Sequence, residues 1–316
     1  MLSVCLENGV VSVGTHTRPR RPPGFALIRL LFGGICNTDL ELQRGYYGFR
    51  GTPGHEFVGE VLDADNRRWI GERVVGEINL ACGKCEWCTR GLGRHCPTRT
   101  VLGIVRQPGA FREFLTLPES NLHRVPREIS SEEAVFVEPL AAACEILDQV
   151  RIPRGAPVAV LGDGKLGLLA SQVLKAHGAE VHQYGRHAHK LRIAAQMGVS
   201  TEVAKKLPVA KYEFVVEATG SSEGLRQAVQ MTQPRGTVIM KSTVHGLVSI
   251  DSAPVIVNEI TLVGSRCGRF EPALRLLKNR KVRVDAMISE VFPLKDARRA
   301  FRAAAKPGVL KVLLHA

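Results

Sequence analysis

The sequence contains no apolar run approaching the roughly 18 residues needed to cross a bilayer, which excludes a helical membrane protein. Its first residues lack a basic segment followed by an uninterrupted apolar one, so nothing marks the chain for secretion and a cytoplasmic location is expected. It has no internal repeat and no low-complexity stretch, which removes solenoids and disordered linkers from consideration. Acids are short: 30 Asp and Glu stand against 43 Lys and Arg, for a net charge of +13. A basic surface attracts phosphate backbones without any specific contact. These cations are nevertheless spread out, with short clusters only at 18–21, 67–68 and 279–283, and no nucleic-acid-binding module accompanies them. Neither a nucleic acid nor a membrane is expected as a partner.

What is present is an ordinary soluble composition, 45% hydrophobic and 23% charged, in 316 residues, a length that suggests two domains. The eight cysteines, in a chain read as cytoplasmic, point to metal binding or catalysis before disulfides. The centre of organisation begins at Pro157. Four apolar residues, 158–161, read as a strand buried on both faces. Gly162, Gly164 and Gly167 follow, with Asp163, Lys165 and Leu166 between them. After them, Leu166, Leu169, Ala170, Val173 and Leu174 recur at the spacing of one helix face until Gly178. A strand, a G-x-G-x-x-G turn and a helix together predict dinucleotide binding, because the turn lets backbone approach a pyrophosphate closely and aims a helix N-terminus at it.

Strands expected at 180–184, 214–217, 237–240 and 260–263 alternate with helices at 188–197 and 222–232, a pattern that implies a doubly wound parallel sheet. The first hundred residues read as β-rich, with apolar segments at 10–13, 25–32, 57–62 and 73–78 and a strand at 111–117. At Ser130 a capping box, serine followed by Glu133, opens a helix. Two further helices, 272–278 and 294–305, and a strand, 309–314, close the chain and are expected to rejoin the β-rich part. The expected division is therefore 126–265 for the dinucleotide domain and 1–125 with 266–316 for the other.

Cys82, Cys85, Cys88 and Cys96 lie at intervals of three, three and eight on a loop that also holds Gly83, Gly91 and Gly93. Four thiolates at this spacing close a tetrahedron around zinc with no open position, a structural site. With this loop in view the chain resembles the zinc-dependent medium-chain dehydrogenases. The resemblance rests on Cys36-Asn37-Thr38-Asp39, Gly54-His55-Glu56, the four-cysteine loop, Glu138-Pro139 and the glycine turn, in that order, and runs to the ending around Lys311.

The resemblance implies an α/β fold, a doubly wound parallel Rossmann sheet plus a β-rich GroES-like catalytic domain, with two zinc ions per chain. It implies a catalytic zinc on Cys36, His55 and Glu138, with Glu56 a ligand in some members. Thr38 would begin a proton relay and Asp39 would hold the ligating histidine. Asn37 and Glu41 depart from the family pattern, at the positions of a glycine and of a relay histidine. Thr219 in Glu217-Ala-Thr219-Gly220 and Lys311 match cofactor-contact positions. At the end of the second Rossmann strand no acid is present to accept the ribose hydroxyls of NAD; Gly185 leaves room, and Arg186 with Lys190 is placed to pair with a 2′-phosphate. NADP is accordingly expected, with NAD as the alternative. The expected activity is an oxidoreductase moving hydride between a nicotinamide and a secondary alcohol, polyol or sugar, in a homodimer or homotetramer. Tyr46, Tyr47 and Phe49 are candidates for an apolar pocket wall, and Arg266 and Cys267 for approach to the nicotinamide.

Overall fold

The computed structural model describes residues 1–243 and 248–316. The chain forms two compact units, one of residues 1–138 and 288–316, the other of residues 139–287.

Unit 1 is β-rich. Its main sheet has seven strands, running in the order Leu122–Arg124, Arg73–Gly76, Glu56–Asp63, Phe25–Ile35, Lys311–His315 and Ile288–Pro293, with Phe114–Pro118 also paired to Phe25–Ile35. A hairpin of Leu2–Glu7 and Val10–Thr15 and a small three-stranded sheet complete it. Phe25–Ile35 is the axis of the unit: Ala26, Ile28, Leu30 and Ile35 are buried, and three other strands lie antiparallel to it. Two registers matter for function. Gly34 pairs with Glu56, and Ile35 pairs with Val312, so the ends of three strands distant in sequence meet just before Cys36.

Unit 2 is a six-stranded sheet with every strand parallel, in the order Ser200–Val203, Glu180–Gly185, Pro157–Leu161, Tyr212–Glu217, Thr232–Met240 and Thr261–Gly264. In chain order this is 3-2-1-4-5-6, the doubly wound arrangement with its switch point beside Pro157–Leu161. Val158 to Leu161 are all buried, as the unbroken apolar run requires of a strand covered on both faces. Ala159, Leu161, Val215, Val238 and Met231 share one core cluster with Tyr184 and Tyr212, whose hydroxyls meet at 2.7 Å. Each fully buried Val or Leu there contributes about 1.5–3 kcal/mol.

The short edge strand Ser200–Val203 escaped the sequence pattern because only Thr201 of its residues is even half-buried. The units divide at 138/139 and 287/288, not at 125/126 and 265/266. Arg73 donates to Pro126 O and Ile129 O at 3.0 and 2.6 Å, tying that segment to the β-rich unit. The Arg283 amide donates to Gln172 Oε1 at 2.8 Å, tying residues beyond 265 to the parallel sheet.

Candidate functional site

Unit 1 brings Cys36, His55 and Glu56 together, with one ligand-type atom from each lying within 4.8 Å of the others. Cys36 stands at the start of the helix Asn37–Gln43, and Asp39 in its first turn accepts the Cys36 amide at 2.8 Å. The other Asp39 oxygen accepts the Gly54 amide at 3.1 Å and lies 3.6 Å from His55 Nδ1. Asp39 thus ties the cysteine segment to the histidine segment and faces one ring nitrogen, leaving the other for the cluster. Burial works against charge on His55, but Asp39 and Cys36 outweigh it and hold the imidazole well above its ordinary range. Thr38 Oγ1 is 3.7 Å from Cys36 Sγ.

Glu56 and Lys311 form an ion pair in which each side chain is 1% exposed. A Cβ on Gly34 would sit 2.7 Å from Glu56 Oε2 and 2.6 Å from Val135, so the glycine makes the space for this carboxylate. Burial opposes the Lys311 charge, yet Glu56 and Cys36 raise its pKa. Lys311, which the resemblance matches to a cofactor-contact position, places its amine on Glu56. Glu56 Oε1 is buried with no hydrogen-bond partner. Buried polar atoms are seldom orphaned, so a group with Cys, His and Glu donors and such an atom fits a zinc ion. Glu138, at the start of the helix Val137–Gln149, is half-buried and outside this group.

Cys82, Cys85, Cys88 and Cys96 form the second group. Their sulfurs stand at 3.9 Å (82 to 88), 3.4 Å (85 to 88) and 3.8 Å (85 to 96), and none is in a disulfide. A tetrahedron with Zn–S of about 2.3 Å has edges of about 3.8 Å, so these residues fit zinc. The Cys82 amide and the Thr98 hydroxyl pull Cys96 down to about 6, while burial and Cys85 push Cys88 up to about 11.

In unit 2, Gly162 has φ +122° and a Cβ there would strike Ala218 O at 2.4 Å; a Cβ on Gly167 would strike Gly162 O at 2.4 Å. Both glycines are demanded by close packing. Gly164 is the N-cap of the helix Lys165–His177 and provides no side-chain cap, an arrangement that suits an anion at a helix start. Lys165 and Leu166 are half-buried at that start. Gln183 braces the turn, donating to Gly162 O at 2.8 Å and accepting Ser171 Oγ at 2.8 Å. Thr219 donates its amide and hydroxyl to Glu217 Oε1, each at 2.7 Å. Arg186 is exposed, whereas Lys190 is only 8% exposed.

Three features went unread in the sequence. Asp163 lies against Gly185, Arg186 and His187, with its Oδ2 accepting both the Arg186 and His187 amides. Lys241 is buried with its amine on Ala142 O, Ser265 Oγ and Arg266 O at 2.7, 3.0 and 3.1 Å. The third is the Glu56 to Lys311 pair. An acid inside the glycine turn was the one available signal, for Asp163. Tyr47 is 68% exposed, which takes it out of the core.

Residues 22–127 match the alcohol dehydrogenase GroES-like domain and residues 166–279 match the zinc-binding dehydrogenase domain. The chain belongs to the zinc-dependent medium-chain dehydrogenases. Among the relatives of this medium-chain dehydrogenase, the sorbitol dehydrogenase of Halalkalibacterium halodurans is 28% identical over 98% of this chain and 97% of its own length. The L-threonine 3-dehydrogenase of Rhizobium johnstonii is 34% identical over 68% of this chain and 64% of its own. The solved alcohol dehydrogenase TADH from Thermus sp. ATN1 superimposes with a TM-score of 0.91, at 29% identity, over all of both chains. Among the described residues of this medium-chain dehydrogenase no helix is long and apolar enough to cross a membrane. At the departure from the family pattern, Glu41 pairs with Arg44 at 2.5 Å.

Proposed function

We propose that the chain interconverts a secondary alcohol, of the polyol or sugar-alcohol class, and its carbonyl, using a nicotinamide dinucleotide and a zinc ion held by Cys36, His55 and Glu56. The observation that carries this reading is the Cys36, His55, Glu56 group with its orphaned Glu56 Oε1. Membership of that group favours Glu56 over Glu138 as the third ligand. When bound, zinc supplies a Lewis acid that lowers the pKa of a substrate hydroxyl, and the nicotinamide supplies the hydride acceptor.

This chain's residues would do the rest. Asp39 would orient His55, and Lys311 would balance the Glu56 carboxylate, so that its negative charge is not buried uncompensated. The half-buried Thr38 hydroxyl, next to Cys36, would relay the substrate proton, accepting it while handing its own on to a further acceptor such as water or a cofactor hydroxyl. A second zinc on the four cysteines would have a structural role. The polyol class is supported by relatives such as the sorbitol dehydrogenase.

The expectation of NADP rested on Arg186 and Lys190 and on the want of an acid near the ribose. Arg186 remains available; the burial of Lys190 and the position of Asp163 favour a second reading, NAD. The absence of a disulfide among the eight cysteines, all of them described residues, supports a reducing compartment such as the cytoplasm. A homodimer or homotetramer is supported by the edge strand Thr261–Gly264, paired on one side only, after Ile256 and Val257, which are 72% and 77% exposed. The test is a panel of alcohols, polyols and sugars assayed with both cofactors, together with metal analysis. Two zinc per chain, falling to one in Cys36→Ser with loss of turnover, is the expected result; zinc content untouched by that change would overturn it.

A further inference from the structure

We infer that Asp163 is the residue that selects the adenosine ribose of the cofactor, and that it selects NAD over NADP; this rests on unit 2 binding a nicotinamide dinucleotide. In a doubly wound sheet of order 3-2-1-4-5-6, an acid at the end of the second strand accepts a hydrogen bond from the ribose 2′-hydroxyl. The second strand here, Glu180–Gly185, ends without one, in Gly185-Arg186-His187.

The first strand's loop brings an acid to the same place. Asp163 Oδ2 accepts the Arg186 amide at 2.7 Å, the His187 amide at 2.6 Å and His187 Nδ1 at 3.0 Å. The other oxygen, Oδ1, takes none of these bonds and is left as an acceptor. The residue is 8% exposed, and burial alone would favour its protonated form, but the His187 and Arg186 donors outweigh burial and hold its pKa below the usual range.

Gly185 is the seat of this arrangement. A Cβ there would lie 2.5 Å from Asp163 Cβ and 2.7 Å from Oδ2. The space that the sequence offered to a 2′-phosphate is thus filled by a carboxylate. The two amides that would otherwise cradle a phosphate are already bonded to Asp163, and a 2′-phosphate would bring further negative charge against it. A 2′-hydroxyl, by contrast, has an ionised acceptor waiting. Acid and glycine have exchanged places relative to the usual pattern, with the acid in the turn and the glycine at the strand end. The Arg186 side chain, exposed beside them, is left for the adenine face or the pyrophosphate.

The experiment is a fluorescence titration of the full chain with NADH and with NADPH, for the wild type, Asp163→Asn, Asp163→Ser and Arg186→Ala. The wild type is expected to bind NADH about 100-fold tighter than NADPH. Both Asp163 variants should collapse that ratio to within about tenfold by weakening NADH and strengthening NADPH, and Arg186→Ala should leave the ratio unchanged. Tighter NADPH binding by the wild type overturns the inference even if neither Asp163 variant folds. So does an unchanged ratio in folded variants, or a selective loss of NADPH in Arg186→Ala. Failure of the wild type to bind either nucleotide would instead sink the dehydrogenase reading.

Discussion

Replacing Lys311 with Met should be among the most damaging single changes in unit 1. Lys311 and Glu56 are each 1% exposed, so the substitution leaves a carboxylate in the interior with its counter-charge gone. Removing one partner of such a pair costs about 3–5 kcal/mol, whereas replacing both with neutral residues is often close to neutral. The Phe136 ring, 5.6 Å from the Lys311 amine, offers the methionine a surface to pack on, so the loss reports charge more than volume. At about 4 kcal/mol the melting temperature falls by on the order of 10 °C. The sign with pH follows from the raised lysine pKa: the contribution is complete below the unfolded value of 10.5 and is lost only as pH rises through the still higher folded value. The assay is urea denaturation of the wild type, Lys311→Met, Glu56→Gln and the double variant, in chelator so that zinc affinity does not enter. Recovery of at least half the single-variant loss in the double variant is expected; strictly additive losses, or a Lys311→Met cost below about 1 kcal/mol, would refute the argument.

Three other outcomes are expected. Cys96→Ser should remove one zinc per chain and lower the melting temperature while the second zinc stays, as read by metal analysis beside calorimetry; a catalytic collapse without metal loss would contradict a structural role. Gly185→Ala forces Asp163 aside, breaking bonds of 2.6–3.0 Å, and should weaken NADH binding about tenfold or more in a titration. Arg112→Met should raise stability. Burial pulls that guanidinium down to about 10 from 12.5, a penalty on the order of 3 kcal/mol that is present at neutral pH and relieved only above pH 10. Its Nε has no partner, and a fall in the denaturation midpoint would show that the charge is satisfied after all.

The features legible in the sequence were those whose determinants are local. The glycine turn announced itself because the strand before and the helix after are contiguous with it, and the four-cysteine loop because all its ligands fall within one short stretch. The third member of the Cys36 and His55 group was not legible in this way. Glu56 and Glu138 are both acids beside plausible neighbours, and only the Gly34 to Glu56 register puts one of them at the centre. Asp163 was hidden because its partners lie just past the end of the next strand, 23 and 24 residues on. Lys311 meets Glu56 across 255 residues, through a strand pairing that no periodicity encodes. The compact units break at places the sequence does not mark, because a capping box shows where a helix begins, not which sheet that helix serves.

The interruption of unit 1 by unit 2 has a consequence for biosynthesis. Residues 139–287 form one unbroken run, so all six parallel strands leave the ribosome while Phe25–Ile35 still lacks its neighbour Lys311–His315. At about 5–20 residues per second, that edge waits on the order of tens of seconds. Throughout that interval the nascent chain presents an open strand margin of the kind that chaperones cover and aggregates recruit. Cys36 and His55 are made long before the lysine that balances their neighbour, which follows Glu56 by 255 residues.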